Sequence, residues 1–374
     1  MNFIINMSNN LVGGGLQVAL SFLEECKNIQ HHVFHVLIGE NVAKQVELSN
    51  FPANYIFHFI PKIRKWKLHS VLKRFERRID PSCVFTVFGP SYWKPLSPHL
   101  MGFARVLFIY DDYKYFKKLS VFKKIILKLE SVVILFLFRR EGSILIVETE
   151  DAKQRLKRKI KKDKIEVVSN TCGTHFYLNK EFLNKLPDRN HEIRLLTPSI
   201  YYPHKNIESI PLVLDVLNKK GIDNIKFVLT LDKKDYNMVI PAKWEKRVYN
   251  VGHVPVDECP SLYDECDFLY LPTLLEIFSA SYPEAMVMQK PILTSDLSFA
   301  HSICGNAALY FDPYSPIDIA NKIEKLMGDN ELQRKLIENG DIRLKTFGTA
   351  KTRAEKYLKM CEELVLGGNN DTVK

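Results

Sequence analysis

Two glutamates, Glu276 and Glu284, stand with seven residues between them in the stretch LPTLLEIFSASYPEAMVMQ, residues 271–289. The stretch opens as an apolar run from Asp267 to Leu271, passes through a short loop, and turns helical at Ser281. Ser281 followed three residues later by Glu284 has the spacing of a capping box. Pro283 is tolerated there, because first-turn amides need no intrahelical partner. Strand, loop and helix N-terminus in that order make a crevice where backbone N–H groups and the helix dipole favour an anion. Carboxylates beside an anion repel it, so these two suit hydrogen bonds from hydroxyls instead. The ligand implied is an anion flanked by sugars, although a helix cap plus a surface charge would leave the same pattern.

Other residues point to an anion as well. Gly13, Gly14 and Gly15 follow a buried strand-like run, FIINM (3–7), and precede a helix from Leu16 to about Lys27. Glycine at that handover lets backbone amides approach a phosphate with no side chain in the way, or simply makes a tight turn. The dinucleotide fingerprint fails because Val18 occupies its sixth position, while Glu40 after the second strand-like run keeps an NAD reading open. Lys205 and Asn206 open a helix after IRLLTPS (193–199), and an ammonium there opposes the dipole unless an anionic ligand offsets it. Asp111 and Asp112 end RVLFIYDD (105–112), read as a strand, where they would accept a proton or hydroxyl from an acceptor or cap the next segment. His99 is a further candidate for the acceptor side.

The Glu-x7-Glu spacing resembles the signature of retaining GT-B-fold glycosyltransferases of glycosyltransferase family 4. The resemblance implies that Glu276 meets the transferred sugar and Glu284 clamps the ribose of the nucleotide. The amides of Ile277, Phe278 and Ser279 would lie against the sugar and diphosphate. It sets Gly13 to Gly15 beside the diphosphate, with Gln17 nearby, and Gly252 to Val254 against the nucleobase. Lys205, together with the residue six before it, Ser199, would hold the diphosphate. The implied activity is metal-independent hexosyl transfer without a cofactor, from a UDP- or GDP-linked nucleotide-sugar to a glycan or lipid-linked acceptor in cell-envelope polysaccharide synthesis.

This chain departs from the family pattern in places. The family usually has small residues where Ile277 and Ser279 stand, an Arg at the position of Ser199, and a His near Leu107. These departures support a second reading, a catalytically weak nucleotide-sugar-binding partner of another membrane-associated transferase. A glycosidase would also use two carboxylates, but it needs no lysine-based anion site. NAALYFDP (306–313) resembles the family's segment after the motif and is read as structural.

The elements that must position these residues follow from length and pattern. The chain has 374 residues, enough for two α/β domains rather than one core. The expected architecture is α/β of the GT-B type, two Rossmann-like domains facing a central cleft. An N-terminal acceptor domain would span 1–180, with a C-terminal helix at about 350–374 crossing back to it. A donor domain would span 181–349, and the polar stretch 178–192 reads as the linker. Strand-like stretches at 84–95, which ends in a polar, aromatic loop, and at 143–149, 164–173, 225–231, 247–254 and 291–296 alternate with helical ones.

Residues 1–190 carry 31 Lys and Arg against 17 Asp and Glu, and the remainder carries 22 against 26. A basic first half suits an acidic partner. Two segments concentrate the charge among apolar residues, KIRKWKLHSVLKRFERRI (62–79) and FKKLSVFKKIILKLE (116–130). Both read as amphipathic helices, and together they point to peripheral contact with an anionic membrane. No recognition module accompanies the charge, so nucleic acid is not expected. Seven scattered cysteines without a C-x-x-C pair argue against a disulfide framework or zinc site. With no secretory signal and no apolar run long enough to cross a bilayer, the expected location is cytoplasmic.

Overall fold

Apolar runs without alternation, such as FIINM and IRLLT, call for strands covered on both faces, which parallel sheets provide. The computed structural model describes residues 1–9, 13–117, 119–178 and 183–368 and contains two such sheets. The chain divides into two units, residues 1–170 with 349–374 and residues 171–348.

The first unit holds β1 (Asn2–Met7), β2 (Val33–Ile38), β3 (Tyr55–Phe59), β4 (Cys83–Thr86), β5 (His99–Gly102), β6 (Ile144–Val147) and β7 (Ile165–Val167). Their order is β3-β2-β1-β4-β5-β6-β7, with every pair parallel. The helix after β1, Gly13–Cys26, starts at the glycines themselves and buries Leu16, Val18, Ala19, Phe22, Leu23 and Cys26. The C-terminal helix, Ala350–Gly368, returns to pack against it, as expected. Phe22, Phe85 and Tyr357 form a ring cluster with centroids 5.0–6.0 Å apart, joining the first helix, β4 and the last helix. Glu362 on the last helix also accepts from the buried His32 ring at 2.7 Å. Burial of three aromatic rings explains why a helix so far along the chain belongs to this unit.

The second unit holds β8 (Ile193–Thr197), β9 (Ile225–Leu229), β10 (Val248–Asn250), β11 (Phe268–Leu271), β12 (Ile292–Ser295) and β13 (Ala308–Phe311), ordered β10-β9-β8-β11-β12-β13. All its pairs are parallel as well. The helices Ser209–Lys219 and Pro316–Gly328 pack together and bury Ile210, Val213, Leu217, Ile319 and Ile323. In each sheet the order reverses once, at β1/β4 and at β8/β11. Loops at the carboxyl ends of those paired strands run off in opposite directions, which leaves a crevice for a ligand.

Several expectations need correction. RVLFIYDD is no strand; Val106–Phe108 is a 3-10 turn, because β5 at His99–Gly102 already fills the place between β4 and β6. Phe108, Ile109 and Tyr110 are all buried, so burial alone makes that run look like a strand. The 116–130 segment is likewise not one helix. A short turn of helix, Lys114–Lys117, precedes the helix Val121–Glu141, which Ser120 caps by accepting from Lys123 N at 3.3 Å. Of the supposed linker, residues 179–182 lie outside the described residues. The part from 183 is tied to the second unit: Leu183 N donates to Ser261 Oγ, Lys185 N to Glu265, and Arg189 pairs with Asp267.

The end of β5 approaches the loop after β4 closely. Gly89 N donates to Gly102 O at 2.8 Å, and a Cβ on Gly102 would lie 1.9 Å from Val87 O. Gly102→Ala must push backbone aside, a cost of about 1–3 kcal/mol by the usual scale of overpacking. The expected result is a lower thermal midpoint for the first unit in calorimetry, with the midpoint of the second unit unchanged.

Candidate active site

The second unit gathers the residues with chemistry at its switch point. Loop 272–280 follows β11, and loop 198–202 follows β8 and leads into the 3-10 turn Pro203–Lys205. The two segments are laced together by backbone, since Leu274 N and Thr273 Oγ1 both donate to His204 O, at 2.7 and 3.3 Å. That lacing brings Lys205 to Glu276, and Lys205 Nζ donates to Glu276 Oε2. Both side chains are more than four-fifths buried, exposing 17% and 18% of their surface.

The loop holds its shape because its apolar residues turn inward. Leu274, Leu275, Ile277 and Phe278 are buried, with Phe278 edge-on to Phe347 at 5.6 Å, while Glu276 and Ser279 stay at the edge. The bulk of Ile277 is thus absorbed by the core. Thr197 Oγ1 donates to Tyr270 O and Thr294 Oγ1 to Leu271 O, pinning the strand ends on either side. Tyr282, fully buried, anchors the following helix Ser281–Val287 through Thr294 Oγ1 at 2.7 Å.

Glu284 departs from the capping box. Ala280 already has helical dihedrals, so the turn begins before Ser281, and the Glu284 carboxylate accepts from Tyr263 Oη at 2.7 Å instead. Tyr263 lies 21 residues upstream on the helix Cys259–Asp264 and is itself buried. Nothing near Glu284 in sequence marks it, so sequence reasoning missed this residue. Burial pushes the Glu284 carboxyl up to about 7, with the Tyr263 hydrogen bond working in the opposite direction. Burial likewise lowers His204, which stacks on Tyr202 with ring centroids 5.4 Å apart.

Lys205 does not open a helix. Asn206 leaves the turn in the left-handed region at φ 56°, with its side chain donating to Pro313 O, and the helix starts only at Ser209. The charge on Lys205 is offset by Glu276 rather than by an incoming anion alone. The Asn206 contact with Pro313 O ties the Asp-Pro end of NAALYFDP to this turn. Ser199 donates from its N to Thr230 Oγ1 at 2.9 Å and from its Oγ to Ile200 O at 2.8 Å, so it adds no charge beside Lys205. Gly252, at φ 72°, and Val254 lie in the loop after β10, where two shallow cavities of about 440 and 610 Å³ open. Neither is lined by Lys205, Glu276 or Glu284; the charged pair at the switch point marks the site better than cavity volume does.

Residues 179–343 match the family "Glycosyl transferases group 1", a span that nearly coincides with the second unit. That unit belongs to the glycosyl transferases group 1 family. The chain is 28% identical over 157 residues to the O-antigen chain mannosyltransferase RfbU of Salmonella typhimurium, which is 40% of this chain and 41% of that relative. The match therefore spans less than half of the relative's length. Among solved structures, Anabaena HepE in complex with UDP and glucose superposes with a TM-score of 0.71 at 12% identity, over 97% of this chain and 100% of that one. WaaG, a glycosyltransferase involved in lipopolysaccharide biosynthesis, superposes with a TM-score of 0.73 at 13% identity, covering 96% and 99%. The two parallel sheets and the returning C-terminal helix are those of the GT-B fold.

The candidates outside the group 1 unit belong to the first unit. Gly13, at φ 53°, Gly14 and Gly15 stand after β1 at the other switch point; residues 10–12 of the same loop lie outside the described residues. Asn9 Nδ2 donates to Phe88 O and Pro90 O, lacing the loops after β1 and β4 much as the second unit laces its own. Glu76 and Glu141, both buried, hold the 91–97 loop by accepting from Ser91, Tyr92, Leu96 and Ser97 amides, a role that their sequence context does not advertise. Asp111 and Asp112 are engaged by the basic helix Glu150–Ile160, through Lys159 at 2.7 Å and Arg155 at 2.8 Å. His99 is a core residue of β5 that bonds Thr86 Oγ1 and Glu141 O, and burial lowers it to about 4. Leu107, in the 3-10 turn, lies beyond the strand end at Gly102, and no His occurs from 103 to 108. Glu40 pairs with Lys44 at 2.7 Å on the surface.

A carboxyl raised on folding from its ordinary 4.5 to about 7 favours the protonated form. Its contribution to stability is complete below the unfolded value and is lost as the pH climbs through 7. Glu284→Gln, which cannot ionise, is therefore expected to gain thermal stability relative to the parent chain between about pH 5 and about pH 8. The gain is bounded near about 3 kcal/mol, and parallel melts of both proteins across that range measure it.

Proposed function

We propose that this protein is a retaining glycosyltransferase that moves a hexose from a UDP- or GDP-linked donor to a glycan or lipid-linked acceptor, in polysaccharide synthesis at the cell envelope. The observation that carries the reading is the Lys205–Glu276 pair on laced segments at the switch point of the group 1 unit. Relatives support the substrate class: RfbU is named an O-antigen chain mannosyltransferase, and HepE holds UDP and glucose. The reaction is assigned to the cytoplasmic side, where nucleotide-sugars serve as donors.

In this scheme the bond between the anomeric carbon and the diphosphate oxygen breaks, the acceptor hydroxyl oxygen bonds the same face of that carbon, and its proton passes to the departing diphosphate, on which charge grows. The Lys205 ammonium and the amides of residues 277–279 face that charge; a preorganised cation and amides stabilise it without reorganising solvent. Glu276 divides its two oxygens between Lys205 and a sugar hydroxyl, so it orients both partners of the breaking bond. Glu284, held by Tyr263, accepts from a ribose hydroxyl. The loop at Gly252 to Val254 meets the base. The scheme uses no metal. Asp111, paired with Lys159 on the surface of the first unit, has no part in this scheme.

Ser199 favours one alternative. With Ser rather than a cationic residue at 199, diphosphate departure is less assisted, as in a donor-binding partner of low catalytic power. Calorimetry with uridine and guanosine diphosphates and their sugars, alongside a turnover assay, separates the two readings: binding without product under every acceptor tried supports the partner. On the transferase reading, Lys205→Ala and Glu276→Ala each lower kcat by about 100-fold or more, while the thermal transition of the first unit stays in place. Normal turnover in both variants would remove the assignment.

A further inference from the structure

The helix Val121–Glu141 has one side turned to the protein and one that nothing among the described residues covers. Its buried residues are Ile134, Phe138 and Glu141, all in the C-terminal half. Phe122, Ile125, Ile126, Leu129, Val133 and Phe136 point the other way and remain exposed, from 46% at Ile126 to 73% at Phe122. Their spacing of three and four residues puts them on one stripe of the helix, opposite the buried side. An uncovered apolar stripe several turns long exceeds what single surface hydrophobes explain. The other basic segment behaves differently. In the helix Lys65–Ile79, Leu68, Leu72 and Ile79 are buried in the core, and Trp66 alone of its large apolar residues is strongly exposed.

Charge decides what covers the stripe. Lys123, Lys124, Lys128, Arg139 and Arg140 lie along the same helix, against Glu130 and the buried Glu141. A second copy of the chain, packed through the same face, would bring these cations against their own images. A bilayer with anionic headgroups offers hydrocarbon to the stripe and negative charge to the lysines at once. The helix cannot cross that bilayer, since no helix among the described residues is long and apolar enough. We propose that the Val121–Glu141 helix lies in the plane of an anionic membrane, its Phe122–Phe136 stripe in the acyl boundary and its lysines at the phosphates. The surface belongs wholly to the first unit and stands independently of sugar transfer.

The test is flotation of the full chain with phosphatidylcholine vesicles, with and without phosphatidylglycerol, across salt concentrations. The chain is expected to float with the anionic vesicles, to bind phosphatidylcholine alone poorly, and to be released by salt. Ile125→Asp combined with Leu129→Asp should weaken the anionic binding by about tenfold or more. Both side chains are already half exposed or more, so the thermal transitions should be kept. Lys123→Gln combined with Lys128→Gln should weaken binding and flatten its salt dependence. A failure to float with anionic vesicles, or equal binding by the aspartate variant and the parent chain, overturns the proposal. So does a concentration-dependent dimer, seen by light scattering, that the aspartate variant abolishes.

Discussion

A parallel sheet forces each strand to be followed by a crossover, and right-handed crossovers cover both faces of an open sheet only when the chain reverses its direction of progress from the starting strand. In both units the chain builds outward from its first strand in one direction and then resumes on the opposite flank. The loops after β1 and β4, and those after β8 and β11, therefore diverge. What remains at each divergence is a gap at the carboxyl end of the sheet that no element of the fold has to fill. Each unit ties the two loops across its gap: Asn9 reaches the carbonyls of Phe88 and Pro90 in one, and His204 accepts from Thr273 and Leu274 in the other. The rest of each unit holds these ties in register.

The second tie has an electrostatic consequence. It sets an ammonium against a carboxylate where both are largely withdrawn from water. Such a pair does little for stability, because desolvation offsets most of the attraction, but loss of either partner strands the other charge. The pair thus fixes the Lys205 side chain against the loop that follows β11. Glu284 shows the opposite arrangement. Its carboxylate accepts from the Tyr263 hydroxyl, and burial raises it toward neutrality. Two glutamates eight positions apart thereby meet different surroundings, one an ammonium and the other a neutral hydroxyl.

The excess of basic residues in the first half is distributed by the same packing logic. Part of it is spent within the unit, where Lys159 and Arg155 neutralise Asp111 and Asp112. The rest accompanies helices whose apolar residues have different fates. The helix Lys65–Ile79 gives its apolar residues to the core. The helix Val121–Glu141 contacts the unit mainly through its last two turns and leaves its outer stripe uncovered.

Sequence alone determined whatever depends on neighbours along the chain. Uninterrupted apolar runs marked the parallel strands, and the Glu276–Glu284 spacing marked the loop and helix of the site. Lys205 stands out in sequence as the opening of a helix that in fact starts only at Ser209. Local pattern misled where burial imitates a strand, as at Phe108 to Tyr110, and where Ser281 imitates a cap that Ala280 had already made unnecessary. Tertiary structure alone decided that β8 and β11 are adjacent, which brings Lys205 to a glutamate 71 residues away. It also decided that Tyr263 holds Glu284, that Asp111 is occupied, and which of two similar basic helices keeps its apolar face outside. Periodicity reports that a helix has an apolar side; only the elements packed around it determine whether that side is covered.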